Sequence, residues 1–245
     1  AALGAIAGGV QFSAIYPMFP ISNILHVLSK HQEKYGYVYK QPEDEISAIN
    51  MCIGASFAGA RALTATSGGG FALMSEGYGL AGIAEVGLVI VEGQRGSPAT
   101  GIPTWSEQGD LRFVIHAHQG DFPRIVLTPG DPEETFTLTR KALNLAEKYQ
   151  TPVVVLIDKN ICENDKSVTK FKNDDYTIDR GKLSLDFDPE FERYAPSEDG
   201  ISTRTVPGVG NFFIANSDEH NYKGYSNEEI DNRNEQMKKR MQKLI

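Results

Sequence analysis

Short apolar runs alternate with segments of helical periodicity through the first two thirds of this 245-residue chain, and that alternation constrains its fold most. Strands are expected over Val10–Tyr16, Tyr37–Gln41, Ala62–Thr66, Val86–Val91, Arg124–Leu127 and Pro152–Asp158. Between them, apolar residues recur at spacings of three and four. Ser22 is read as the cap of a helix bearing Ile24, Leu28 and Tyr35. Ile46, Ile49, Ile53 and Phe57 mark the next. Further helices are expected over Phe71–Ala84, from Asp110 to His118, and from Asp131 onward, where a capping acid, a proline and Glu133–Glu134 form a strong start. Strand–helix units in this order predict an α/β fold with a doubly wound, mostly parallel sheet.

A parallel sheet gathers the loops that follow its strands along one edge, where such folds bind ligands. Tyr16–Pro20, Gln41–Glu45, Thr66–Gly70 and Glu92–Thr104 thus become neighbours. The last of them carries a fixed cation, Arg95, two hydroxyls, Thr100 and Thr104, small residues and stiffening prolines. That set suits a small anion with a carboxylate and a carbonyl, although turn formers on a surface read the same way. Of the acids Glu43, Asp44 and Glu45, one is expected to point into the cleft, where apolar walls would favour its neutral form. Ser67-Gly68-Gly69-Gly70 lacks the spacing of a dinucleotide fingerprint and the lysine of a P-loop. It reads as a close strand–helix turn or as the phosphate site of a nucleotide-binding α/β module.

Past about Asn164 charges and Asx residues dominate and apolar periodicity is lost. Residues 1–164 are therefore taken as the α/β domain and 165–245 as an extended arm ending in a helix over Asn227–Leu244, with Met237, Met241 and Leu244 as its apolar seam. The net charge of −8 argues against nucleic acid and anionic membranes as partners. No apolar run is long enough to span a bilayer and none reads as a signal peptide, so a cytoplasmic protein is expected. The opening Ala1-Ala2-Leu3-Gly4 suggests a fragment or processed product. Cys52 and Cys162 are too few for a cluster or structural zinc site and read as buried small hydrophobes. The histidines have no metal-binding spacing.

Taken together, Gln41–Glu45 leading into Ile46–Arg61, then Thr64–Met74, Gln94–Thr104 and Glu107-Gln108-Gly109-Asp110 closely resemble the alpha subunit of 2-oxoacid:ferredoxin oxidoreductases, the pyruvate and 2-oxoglutarate enzymes of anaerobic metabolism. The resemblance covers about residues 1–160 and continues more loosely through Glu198–Ser202 and Asp218–His220. It implies a subunit of an enzyme that oxidatively decarboxylates a 2-oxo acid to an acyl-coenzyme A and reduces ferredoxin. In that family this domain holds the aminopyrimidine half of thiamine diphosphate. The beta subunit of the hetero-oligomer binds the diphosphate and its Mg2+, and the iron–sulfur cluster lies on partner subunits. By the same resemblance Glu45, with Glu43 in reserve, is the acid that pairs with the pyrimidine. Ser67, Gly68 and Gly69 flank the cofactor, Arg95 takes the substrate carboxylate, and Thr104 and Thr100 belong to the same pocket. Four positions depart from the family pattern: Phe19 for a substrate-contacting threonine, Gly69 for proline, Ser97 for glycine and Ala99 for serine. These departures leave open a non-catalytic homologue or one of altered specificity.

Overall fold

The computed structural model describes residues 1–171 and 176–245. In chain order its elements are α1 (Ala2–Ala7), β1 (Phe12–Ala14), α2 (Ser22–Tyr35), β2 (Val38–Lys40), α3 (Glu45–Phe57), β3 (Ala62–Thr66), α4 (Gly68–Leu73), α5 (Ser75–Ile83), β4 (Val89–Gln94), α6 (Leu111–His116), β5 (Ile125–Leu127), α7 (Pro132–Tyr149), β6 (Val153–Asp158), α8 (Lys159–Glu163) and α9 (Ile230–Gln242). The strands form one six-stranded sheet in the order β2-β1-β3-β4-β6-β5, parallel throughout. The doubly wound α/β expectation holds.

Strand alternation divides the apolar residues between two cores. Leu63, Ala65, Val89, Val91, Val153 and Val155 face α1, α2 and α7. Ala62, Leu88, Ile90, Val154 and Leu156 face α3, α5 and α6. Handedness explains the division: connections that advance across the sheet (α3, α5, α6) must lie on one face, and those that step back (α2, α7) on the other. The winding reverses between β1 and β3, which opens a crevice outside their carboxyl ends.

Several boundaries differ from expectation. Ser22 is the first residue of α2 and caps nothing; Ile21 holds the cap position. The strand expected to end at Val91 runs on to Gln94 because β6 pairs with it as far as Asp158. The glycines after Ser67 do not form a turn before the helix but are its first residues.

The segment after Asn164 adds no strand to the sheet among the described residues. From Tyr176 onward it docks around Glu85 and Glu147, at the amino ends of β4 and β6 and opposite the crevice. Two buried carboxylates hold it there. Glu147 pairs with Arg61, with Arg180 at 2.7 Å and with Arg204 at 2.6 Å. Glu85 pairs with Lys239 at 2.6 Å and Lys243 at 2.7 Å. The terminal helix therefore does not dock on the expected seam. Met241 and Leu244 are exposed, while Gln236, Lys239 and Arg240 are buried. Its stripe of charged and amide side chains meets acids instead, Glu85 on the domain and Glu219 on the arm, the latter 2.6 Å from Arg240.

Candidate active site

The start of α3 sorts the acidic run. Asp44 takes the cap position in extended conformation, and its carboxylate accepts from Ser47 N at 2.7 Å. These bonds to Ser47 hold the Asp44 carboxyl below its ordinary value. With the register so fixed, Glu45 turns inward and is 3% exposed, whereas Glu43 stays in solvent. Glu45 Oε1 has no hydrogen-bond partner among the described residues. A buried carboxylate oxygen without a donor is costly, so this atom marks a position that another group completes.

Gly70 and Thr66 close around that carboxylate. A Cβ on Gly70 would stand 1.9 Å from Thr66 Oγ1 and 2.7 Å from Glu45 Oε1. The glycine is there for close approach, not for a turn. Gly68 is similar: its Cβ would meet Asp110 Oδ2 at 2.5 Å. Gly69 is open, with only Ala99 O near, at 3.7 Å. Ser67 is fully buried, its hydroxyl 2.7 Å from Met18 Sδ rather than capping α4. With Ser67 turned to a thioether and an acid against Gly68, this turn is poorly suited to phosphate.

The arginine loop faces these glycines across an open cleft of about 300 Å³. Arg95, Gly96, Ser97 and Ala99 form one wall; Gly68, Gly69, Asp110 and Phe113 form the other. Arg95 is half-buried, and its Nη1 donates to Phe19 O at 2.6 Å. That bond ties the loops after β1 and β4. The half-buried Phe19 ring lies near Lys159, whose Nζ is 5.6 Å from the ring centroid. Beyond Ala99 the chain doubles back: Ile102 N donates to Gly96 O at 2.8 Å. Gly101, at φ +59, lies so near Gly96 O that a Cβ would stand 1.7 Å away. This leaves Thr100 and Thr104 exposed on the outer side of the loop and off the cleft wall. The structure thus brings Glu45, Ser67, Gly68, Gly69 and Arg95 to one edge, with Phe19 touching through its carbonyl.

Sequence reasoning overlooked one group. Glu92 lies in the last half of β4, fully buried, between Thr66 and Leu156 on the adjoining strands. Among the described residues neither of its carboxyl oxygens has a hydrogen-bond partner. The Asp110 carboxyl is its acidic neighbour. Burial, reinforced by the Asp110 charge, pushes the Glu92 carboxyl well above the ordinary range. Burial raises Asp110 too. Both carboxyls are thus pushed toward the neutral form, Glu92 the further of the two. A lone acid in the run Val89-Ile90-Val91-Glu92 was the available signal.

Residues 3–239 match the family described as pyruvate flavodoxin/ferredoxin oxidoreductase, thiamine diphosphate-binding. Over 99% of this chain and 41% of its own length, the alpha subunit of 2-oxoacid:ferredoxin oxidoreductase 1 from Sulfurisphaera tokodaii is 43% identical. The 2-oxoglutarate synthase subunit KorA of Archaeoglobus fulgidus is 45% identical over 67% of this chain and 48% of its own length. A solved 2-oxoglutarate:ferredoxin oxidoreductase from Magnetococcus marinus, with 2-oxoglutarate, coenzyme A and succinyl-CoA bound, superposes with a TM-score of 0.94. That match has 40% identity and covers 99% of this chain and 42% of the solved one. The superposition shows that this chain and the solved neighbour share the α/β fold. The chain belongs to the thiamine-diphosphate-binding part of the pyruvate flavodoxin/ferredoxin oxidoreductase family. It spans under half the length of these relatives.

Proposed function

We propose that this chain is the pyrimidine-binding portion of a 2-oxoacid:ferredoxin oxidoreductase, which converts a 2-oxo acid and coenzyme A to an acyl-coenzyme A and CO2 while ferredoxin accepts the electron pair. The observation that carries the reading is Glu45: a carboxyl buried beside Thr66 and Gly70 at the carboxyl edge of the sheet, whose Oε1 lacks a partner among the described residues. A heterocyclic ring nitrogen is a partner of the right kind, so the residues fit the pyrimidine of thiamine diphosphate. When bound, that cofactor supplies the carbanion that attacks the oxo-acid carbonyl and holds the electrons freed by CO2 loss. The chain's own tasks are narrower. Glu45 shares a proton with the ring nitrogen, and Gly70 and Thr66 keep its carboxyl from swinging away. Gly68 and Gly69 leave room for a ring beside the sheet. Arg95 grips the substrate carboxylate, and its bond to Phe19 O fixes the fork before substrate arrives.

A second subunit completes this site. Exposed apolar side chains lie on the arginine loop and the helices beside it: Trp105 is 71% exposed, Ile102, Leu111 and Leu73 are exposed as well, and the exposed Phe113 lines the cleft. Solitary proteins rarely tolerate such exposure. Thr100 and Thr104 are on the same outer side, where the beta subunit would enclose them with the diphosphate and its Mg2+. Mg2+ and an iron–sulfur cluster are assigned to partner chains in this reading. No described helix is long and apolar enough to cross a membrane.

The test is 2-oxo-acid-dependent reduction of ferredoxin by the assembled complex, with thiamine and iron contents measured on the same preparation. Arg95→Lys should raise KM for the oxo acid about tenfold or more and leave thiamine content unchanged, because an ammonium cannot reproduce the paired hydrogen bonds of a guanidinium. A complex that holds thiamine yet reduces no ferredoxin with any oxo acid would favour the non-catalytic homologue.

A further inference from the structure

Asp110 is unlike the other aspartates that begin helices here. Asp44, Asp131 and Asp158 each accept a backbone N–H three residues on, from Ser47, Glu134 and Ile161. Asp110 holds the cap position of α6, yet its side chain makes no such bond. It is turned against Gly68, and Glu92 shares the face of β4 that carries Gln94. Its backbone N–H is meanwhile held by the buried Gln94 side chain, at 3.0 Å from Oε1. Gln94 and Asp110 bracket the whole arginine loop. Two side chains of β4, Glu92 and Gln94, thus grip the far end of the loop that β4 itself begins.

We propose that Glu92 is a positioning residue: its carboxyl donates a hydrogen bond to Asp110, and this latch fastens the return end of the loop 95–110 to the sheet beside Gly68, so that Arg95 is held ready for substrate. The latch needs one proton between two carboxyls. With the proton present, Glu92 is a neutral donor and Asp110 an acceptor. With it lost, two like charges face each other, that of Glu92 fully buried, and the α6 end of the loop is pushed outward. The other groups facing the pair do not replace the proton. Glu107, on the loop, adds negative charge beside Asp110. Asp158, at the end of β6, is engaged by Gln108 Nε2 at 2.7 Å and Ile161 N at 3.0 Å. Burial pushes the Cys162 thiol on α8 up to about 12, so it stays neutral. Arg95 is the cation on the cleft wall, and its Nη1 is committed to Phe19 O.

The test uses the complete enzyme with its partner subunits. Glutamine at position 92 is a neutral donor of the same size; leucine has no donor. Glu92→Leu should speed amide hydrogen exchange over residues 95–110 at least about tenfold and raise KM for the oxo acid by a similar factor, with kcat changing less. Glu92→Gln should keep both near the parent values. In the parent, KM should climb on the alkaline side as the pair loses its proton, and Glu92→Gln should flatten that limb. Unchanged exchange in Glu92→Leu overturns the latch. So does a Glu92→Gln enzyme that is as impaired as the leucine variant or keeps the alkaline climb; this arm decides the matter if leucine prevents assembly. The KM arm rests on the reading of Arg95 given above, whereas the exchange arm does not. Faster exchange with unchanged KM therefore supports the latch and faults the assignment of the loop to the oxo acid.

Discussion

Replacing Gly70 by alanine tests whether close packing holds Glu45 in place. The added Cβ would lie 1.9 Å from Thr66 Oγ1, 2.7 Å from Glu45 Oε1 and 2.9 Å from Glu45 Cγ, where ordinary contact begins near 3.4 Å. The Thr66 hydroxyl would have to yield about 1.5 Å and Glu45 Oε1 about 0.7 Å. Threonine on a fully buried central strand is stiff about χ1, so Glu45 absorbs much of the strain. Overpacking of this kind costs about 1–3 kcal/mol of stability, which a folded enzyme can survive. The effect on rate is larger: displacing a catalytic group by about 1 Å can cost about a hundredfold. Gly70→Ala should therefore assemble with its partners and lose about a hundredfold in exchange of the thiazolium proton and in ferredoxin reduction. Gly54→Ala is the control. It lies inside α3 with nothing within 4 Å of its new Cβ, and it should gain about 0.5–1 kcal/mol with activity intact. A Gly70→Ala enzyme within about threefold of the parent in proton exchange would refute the argument that this contact positions Glu45.

Glu45→Gln keeps the shape and removes the proton exchange, so thiazolium-proton exchange should slow by about a hundredfold or more; a near-normal rate would move the role to Glu43. Glu85→Gln should lose about 3–5 kcal/mol at neutral pH because it leaves Lys239 and Lys243 buried without their counter-charge. Burial opposes ionisation of Glu85, but Lys243, Lys239 and Arg193 together hold its carboxyl well below the ordinary range. Its contribution is therefore complete above that range and is lost as pH falls through it. Denaturation midpoints at pH 4 and pH 7 should differ less in Glu85→Gln than in the parent, and equal differences would sink the assignment. Phe19→Thr should reorder activity across short, branched, aromatic and dicarboxylic 2-oxo acids, since a hydroxyl near Arg95 adds a hydrogen-bonding group where the ring offers only an apolar wall; an unchanged ranking would remove Phe19 from the specificity set.

The α/β plan was legible because strand and helix differ in period and because parallel strands buried on both faces read as continuous apolar runs, as Val153–Asp158 does. The four neighbouring loops were legible for the same reason: a parallel sheet sends every such loop to one edge. Local signals failed where the deciding partner is distant in sequence. Composition marks Ser67–Gly70 as a turn, yet Gly68–Gly70 are helical, and Gly68 and Gly70 answer to Asp110, Thr66 and Glu45. Periodicity gives the last helix a methionine seam, yet it docks through Lys239, Arg240 and Lys243, because acids placed by other segments can pair with them.

The order of elements, the two-faced sheet and the loops at its carboxyl edge follow from the sequence alone, since hydrophobic period and the handedness of crossovers act on neighbouring residues. Which of Glu43, Asp44 and Glu45 is buried, and that Glu92 meets Asp110, was decided only in three dimensions. Burial and protonation depend on what other strands and helices bring alongside, and a carboxyl carries no mark in the sequence of the dielectric in which it will lie.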